Sequence, residues 1–173
     1  QNRERTFLNC FRDEAGWEFS KKKNLMSRKF SSLFPPKKIK SNKPIQDYLE
    51  TGDLDEKFFY RQDKYMYPLL RKTMKSQETL YQWRRQYVRE NKNNKCPTLT
   101  ANMGTGGHNV PLILTDDGIR KLTPRECFNF QGYPKSFKLP QNLSNSYLYK
   151  QSGNSVSVPL ITKLAKIIYK AIS

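Results

Sequence analysis

Arg120-Lys121-Leu122-Thr123-Pro124-Arg125-Glu126-Cys127 is the stretch on which the fold turns. Thr123 has the chemistry of an N-cap, and Pro124 suits the first helical position, where its missing N–H is harmless. Glu126 lies three residues past the cap and can bond back to it. The pattern predicts a helix starting at Pro124 and ending near Gly132, with Tyr133-Pro134 beyond it.

Upstream of this block the pattern is irregular from Gly52 to about Leu114. Tyr, Phe and Thr are dense between Phe58 and Tyr87, which suits short strands and basic loops more than long helices. Ile45 to Leu49 has helical spacing and stops at Gly52, a short helix. Downstream, a last helix begins near Pro159. It carries Leu160, Ile161, Leu164, Ile167, Ile168 and Ala171 on one face, with Lys163, Lys166 and Lys170 off it. Thr6 to Phe11 reads as a buried strand almost at the first residue. Phe34-Pro35-Pro36-Lys37-Lys38 reads as a linker, since two prolines remove two donors, and a boundary near 43 follows.

Among 173 residues, 32 are Lys or Arg and 15 Asp or Glu, a formal net charge of +17. That balance favours a polyanionic partner, because neutralising phosphates releases condensed counterions. Nine basic residues and no acid lie from Lys21 to Lys43. Eight more lie from Arg71 to Lys95 against Glu78 and Glu90, so two contact zones are expected. An aromatic content of 13% is too high for a disordered basic tail. No apolar run is long enough to cross a bilayer and no signal peptide opens the chain, so a soluble protein without a membrane partner is expected. Cys10, Cys96 and Cys127 are widely spaced and His108 is the single histidine, which argues against a disulfide framework and against a metal site.

Three segments carry candidate chemistry. Asn102-Met103-Gly104-Thr105-Gly106-Gly107-His108 follows Thr98 and Thr100, and its glycines would let backbone approach a ligand; taken alone, the segment reads more readily as a flexible turn between two strands. Tyr81 to Arg89 interleaves aromatics with Arg84, Arg85 and Arg89, a mixture that stacks on bases and forks onto phosphate or guanine. A half-buried strand with a solvated basic face would look similar. Ser152-Gly153-Asn154-Ser155-Val156 reads as a polar turn just before a helix, whose N–H groups could meet a polar ligand. Arg3 and Arg5, with Gln1, alternate onto one face of the first strand.

Taken in order, Gln1-Asn2-Arg3-Glu4-Arg5, Thr98-Leu99-Thr100-Ala101, Arg120 to Cys127, Gln131-Gly132-Tyr133-Pro134 and Gln151 to Val156 resemble the C-terminal half of the DNA (cytosine-5) methyltransferases. The first block is similar to the family's Gln-x-Arg-x-Arg motif. The Thr-Leu-Thr segment resembles the end of its target-recognition domain, and Gly-Asn-Ser-Val its last motif. The family's Pro-Cys nucleophile motif, its Glu-Asn-Val motif and its Gly-rich cofactor loop do not occur. Cys96-Pro97 has the reverse order, and all three cysteines read as structural.

The resemblance implies an α/β fold. Strand and closing helix of a Rossmann-like methyltransferase domain, residues 1–43 and 135–173, would flank an irregular, β-rich target-recognition domain at 44–134. It implies methyl transfer from S-adenosylmethionine, without a metal, to carbon 5 of a flipped-out cytosine in double-stranded DNA. Arg5, helped by Arg3, would hold the base, and Asn154, Ser155 and Val156 would line the cofactor pocket. Arg84, Arg85, Arg89, Thr98, Thr100, Asn102, Gly104, Thr105, Gly106 and Gly107 would meet the bases, while Lys37 and Lys38 would meet phosphates. The nucleophilic Cys would lie on an N-terminal half, either a separate subunit or a missing part of the same chain, and Gln rather than Met at position 1 suggests processing or truncation. A restriction-modification enzyme of prokaryotic cytoplasm, associated with the nucleoid, is the expected setting. The alternatives are a non-catalytic DNA-binding recognition module and a basic RNA-binding protein.

Overall fold

A computed structural model describes residues 32–34, 36, 43–84, 86–91, 95–105 and 110–172. The expected strand Thr6 to Phe11 lies outside them. The chain divides into two compact units. The first comprises Gln1–Arg3 and Asn42–Ser155, and the second Glu4–Ser41 and Val156–Ser173.

In the first unit four strands, β1 Leu80–Arg84, β2 Tyr87–Asn91, β3 Leu112–Thr115 and β4 Gly118–Lys121, make an antiparallel sheet in the order β2-β1-β3-β4. β1 and β2 pair from Leu80 opposite Asn91 to Arg84 opposite Tyr87. β3 and β4 form a tight hairpin in which Thr115 faces Gly118, whose φ of 124° suits only glycine.

Both faces of the sheet are covered. Leu80 and Ile113 join Ile45, Cys96, Leu99, Met103, Val110, Leu122, Cys127 and Tyr149 on one side. Tyr81, Trp83, Val88, Leu112 and Ile119 join Leu70 and Met74 on the other. Neighbouring residues such as Leu112 and Ile113 therefore enter different clusters, and the alternation of apolar and polar residues that marks a one-sided strand is lost. This is why the region up to Leu114 reads as irregular in sequence.

Three helices serve this unit: α1 Tyr67–Thr73, α2 Pro124–Phe130 and α3 Asn145–Asn154. The two-turn α1 falls in the segment expected to hold short strands and loops, and supplies Leu70 to the second cluster. The Ile45 segment is a 3-10 turn, Ile45–Tyr48, too short to close an α-helical ladder after Pro44.

α2 begins as the sequence predicts. The Thr123 hydroxyl accepts from Glu126 N–H at 3.1 Å, while the Glu126 carboxylate accepts from Thr123 N–H at 2.8 Å. That carboxylate also takes both Arg120 guanidinium nitrogens at 2.8 Å and Glu50 N–H at 2.9 Å. Arg120 and Glu126 are almost wholly buried, and the bidentate pair leaves neither charge alone. The helix ends at Phe130; Gly132, at φ 84°, turns the chain so that Tyr133 N–H reaches Phe128 O at 3.1 Å.

The second unit holds α4, Val158–Ile172. Leu164 is buried and Leu160, Ile167 and Ile168 are half-buried, whereas Ile161 is exposed despite lying on the predicted apolar face.

Candidate nucleic-acid interface

The sheet face that carries Leu80 into the core continues outward through Gln82 to Arg84, two residues apart and so on one side of the strand. Opposite Gln82 stands Arg89. Pro97, Thr98 and Thr100 border this face. Leu99 is fully buried, and Thr98 and Thr100 on either side of it are half-buried. Gln82, Arg84, Arg89, Asn91, Pro97, Thr98 and Thr100 enclose a concave polar pocket of about 190 Å³. Four residues predicted from sequence to meet DNA, Arg84, Arg89, Thr98 and Thr100, thus share one cleft.

Its walls are fixed from behind. Trp83 and Val88, cross-strand partners on the opposite face, are buried in the second cluster. Thr79 Oγ1 donates to Asn91 O at 2.6 Å, and Asn91 Nδ2 donates to Lys95 O. Gln82 Oε1 accepts from Arg84 Nη2 at 3.0 Å. Among the described residues neither Arg84 nor Arg89 enters an ion pair with a carboxylate. The cleft therefore presents two guanidinium groups with hydroxyl and amide neighbours, a donor-rich surface suited to phosphates and to the acceptors of base edges.

The turn beyond Thr100 is ordered by its own polar groups. Thr100 Oγ1 donates to Asn102 Oδ1, and Thr105 Oγ1 to Asn102 O, both at 2.7 Å. Met103 is fully buried, while Asn102 and Thr105 are exposed. Gly104, at φ 83°, has a second reason to be glycine: a Cβ there would stand 2.5 Å from the Tyr149 ring. Its carbonyl accepts from Ser146 Oγ at 3.0 Å, which ties the turn to α3. Gly106 and Gly107 lie outside the described residues, as do Arg85, Lys37, Lys38, Arg3 and Arg5.

The Ser152 to Asn154 segment is not a turn before a helix, as its composition suggests; it is the last turn of α3, with Ser155 as C-cap. Packing overrides the low helix propensity of Gly and Asn here. Gly153 is buried against the Thr100–Ala101 backbone, where no side chain fits. Gln131 Nε2 donates to Ser152 O at 3.0 Å, joining α2 to α3. Asn154 is exposed. Ser155 is half-buried, and its hydroxyl donates to Ser152 O at 2.8 Å. Val156 is half-buried at the start of the second unit.

Neither described cysteine is set up as a nucleophile. Burial pushes the Cys96 thiol up to about 12 and Cys127 well above its ordinary value. Among the described residues no group of three or more His, Cys, Asp or Glu gathers to hold a metal, and no helix is long and apolar enough to cross a membrane.

A family model described as C-5 cytosine-specific DNA methylase matches residues 1–170. The chain belongs to this family. The type II methyltransferase M.Bsp6I of Bacillus sp. (strain RFL6) is 63% identical over 129 residues, covering 73% of this chain and 41% of that protein. The type II methyltransferase M.MspI of Moraxella sp. is 46% identical over 57 residues, 33% of this chain and 13% of that protein. Among solved structures, the S. pombe Dnmt2 methyltransferase superposes at a TM-score of 0.57 with 15% identity, covering 79% of this chain and 45% of that one. That likeness places the described helices and antiparallel sheet within the α/β methyltransferase fold expected from the motifs. The matched stretches of the chain cover less than half of each of these relatives.

Sequence reasoning passed over Gln82, Asn91 and Pro97 as cleft residues. Gln82 was accessible to it: in a strand, the residue two before Arg84 must share its side. Pro97 and Asn91 depend on how the chain returns across the sheet, which no local pattern announces.

Proposed function

We propose that this chain is the DNA-recognising C-terminal part of a cytosine-5 DNA methyltransferase, which moves a methyl group from S-adenosylmethionine to a cytosine turned out of the duplex. The observation that carries the reading is the cleft itself: Arg84 and Arg89 beside Thr98 and Thr100, in a chain of the methylase family. Residues 44–134 act as the target-recognition domain, with 1–43 and 135–173 belonging to the catalytic domain. The cleft residues, Asn102, Gly104, Thr105, and the neighbouring Arg85, Gly106 and Gly107 address the major groove; Lys37 and Lys38 bind phosphates and set register. Arg5 and Arg3 hold the flipped base.

Asn154 and Ser155 fit one side of the cofactor. They close a ten-residue helix at its negative end, where an exposed amide suits a ligand bearing positive charge, and S-adenosylmethionine carries an ammonium and a sulfonium. When bound, it supplies an electrophilic methyl group. Val156 adds an apolar contact. The attacking thiolate comes from an N-terminal half carrying the family's Pro-Cys motif, which does not occur in this sequence, and burial keeps Cys96 and Cys127 protonated. The setting is a restriction-modification system in prokaryotic cytoplasm.

The test is reconstitution. This chain, mixed with a nucleophile-bearing half, is expected to transfer labelled methyl from S-adenosylmethionine to duplex DNA, with no transfer by this chain alone. Transfer by the chain alone, or DNA binding without any transfer in the mixture, overturns the reading; the latter favours a recognition module that does no chemistry.

A further inference from the structure

The Gln82–Arg84 pair carries more than general DNA affinity. Arg84 is exposed at the end of β1 and has no carboxylate partner among the described residues. One of its terminal nitrogens is held by Gln82 Oε1 at 3.0 Å. Gln82 itself is 6% exposed and opposite Arg89, so its side chain has little room to move. An arginine free to swing contacts any phosphate, whereas one whose fork is tethered by a neutral acceptor keeps its charge and a defined plane. A tether on one nitrogen leaves the remaining N–H donors of the fork for two parallel acceptors, and in the major groove guanine alone offers such a pair in O6 and N7.

Resting on the methyltransferase reading above, we propose that Arg84 reads one guanine of the recognised site through O6 and N7, with Gln82 as the positioning residue that presets its fork. Arg89, across the strand pair, is left to steady the phosphate backbone near that base. A neutral tether matters here: a carboxylate in place of Gln82 would hold the guanidinium as well but would discharge part of the cleft.

The experiment uses the whole methyltransferase, this chain with its nucleophile-bearing half, on duplexes in which each guanine of the methylated site is replaced in turn by 7-deazaguanine. That change deletes only the N7 acceptor. One position is expected to lower kcat/KM about tenfold, and Arg84→Lys, which keeps the charge but not the fork, is expected to lose that sensitivity. Gln82→Met, close in volume but without a strong acceptor, is expected to lose most of the same sensitivity, and Gln82→Glu to retain it. A purely structural Gln82 would weaken every duplex alike and leave the 7-deazaguanine ratio unchanged, which overturns its positioning role. Finding no guanine whose N7 effect depends on Arg84 overturns the assignment while methylation stands. Failure to methylate any duplex sinks the methyltransferase reading instead, and the same ratios, read as duplex affinities by fluorescence anisotropy, then decide the Arg84 assignment alone.

Discussion

Gly153, in the last turn of α3, lies with its α-carbon against the backbone of Thr100, so close that a Cβ would overlap the Thr100 carbonyl. Thr100 lines the polar cleft and Asn154 follows Gly153, so one backbone contact joins the cleft wall to the residues proposed to hold the cofactor. Gly153→Ala is expected to push α3 and the 98–101 segment apart and to destabilise the chain by about 1–3 kcal/mol, since the obstructing atoms are backbone. A lower urea midpoint together with weaker duplex binding would check it; an unchanged midpoint would mean the contact is loose.

The Arg120–Glu126 pair is the other structural dependency. Glu126 serves Arg120, Thr123 N–H and Glu50 N–H at once, so Glu126→Gln leaves a buried guanidinium without its counter-charge. The expected loss is about 3–5 kcal/mol in urea unfolding, more than an exposed ion pair such as Lys64–Asp63 could cost.

Alkaline pH should unfold the chain from within. Cys96 is pushed by burial from 9.0 to about 12, and Cys127 and Tyr149 are also raised, chiefly by burial. Raised values mean the neutral forms are favoured in the fold, so their contribution is complete below the unfolded value and is lost as pH climbs through the folded one. The urea midpoint is expected to be steady from about pH 7 to 8.5 and to fall above about 9, more gently in Cys96→Ala. Iodoacetamide at about pH 8 should label Cys96 and Cys127 only after urea is added, as mass spectrometry would report.

Salt dependence should separate the two kinds of arginine and lysine contact. Lys37→Ala or Lys38→Ala is expected to weaken all duplexes alike and to lower the slope of log affinity against log salt by about one. Arg84→Ala or Arg85→Ala is expected to erode discrimination between sites more than affinity. Identical behaviour of the lysine and arginine variants across a panel of duplexes would refute that division.

The start of α2 was legible in the sequence because a capping box is a local device: Thr123, Pro124 and Glu126 meet within one turn whatever surrounds them. The charge excess and the ordered motif blocks were equally local, and they were enough to point to the family. Tertiary structure alone decided the rest. β3 and β4 escaped notice because both sides of the sheet are buried, which erases period-two patterning. Gly153 and Asn154 looked like a turn because propensity is a matter of tenths of a kilocalorie to about one per residue, and a helix fitted against Thr100 outweighs it. Asn91 and Pro97 reached the cleft through the return of residues 95–100 beside the sheet, which long-range packing of Leu99 and Met103 sets and no short stretch of residues encodes.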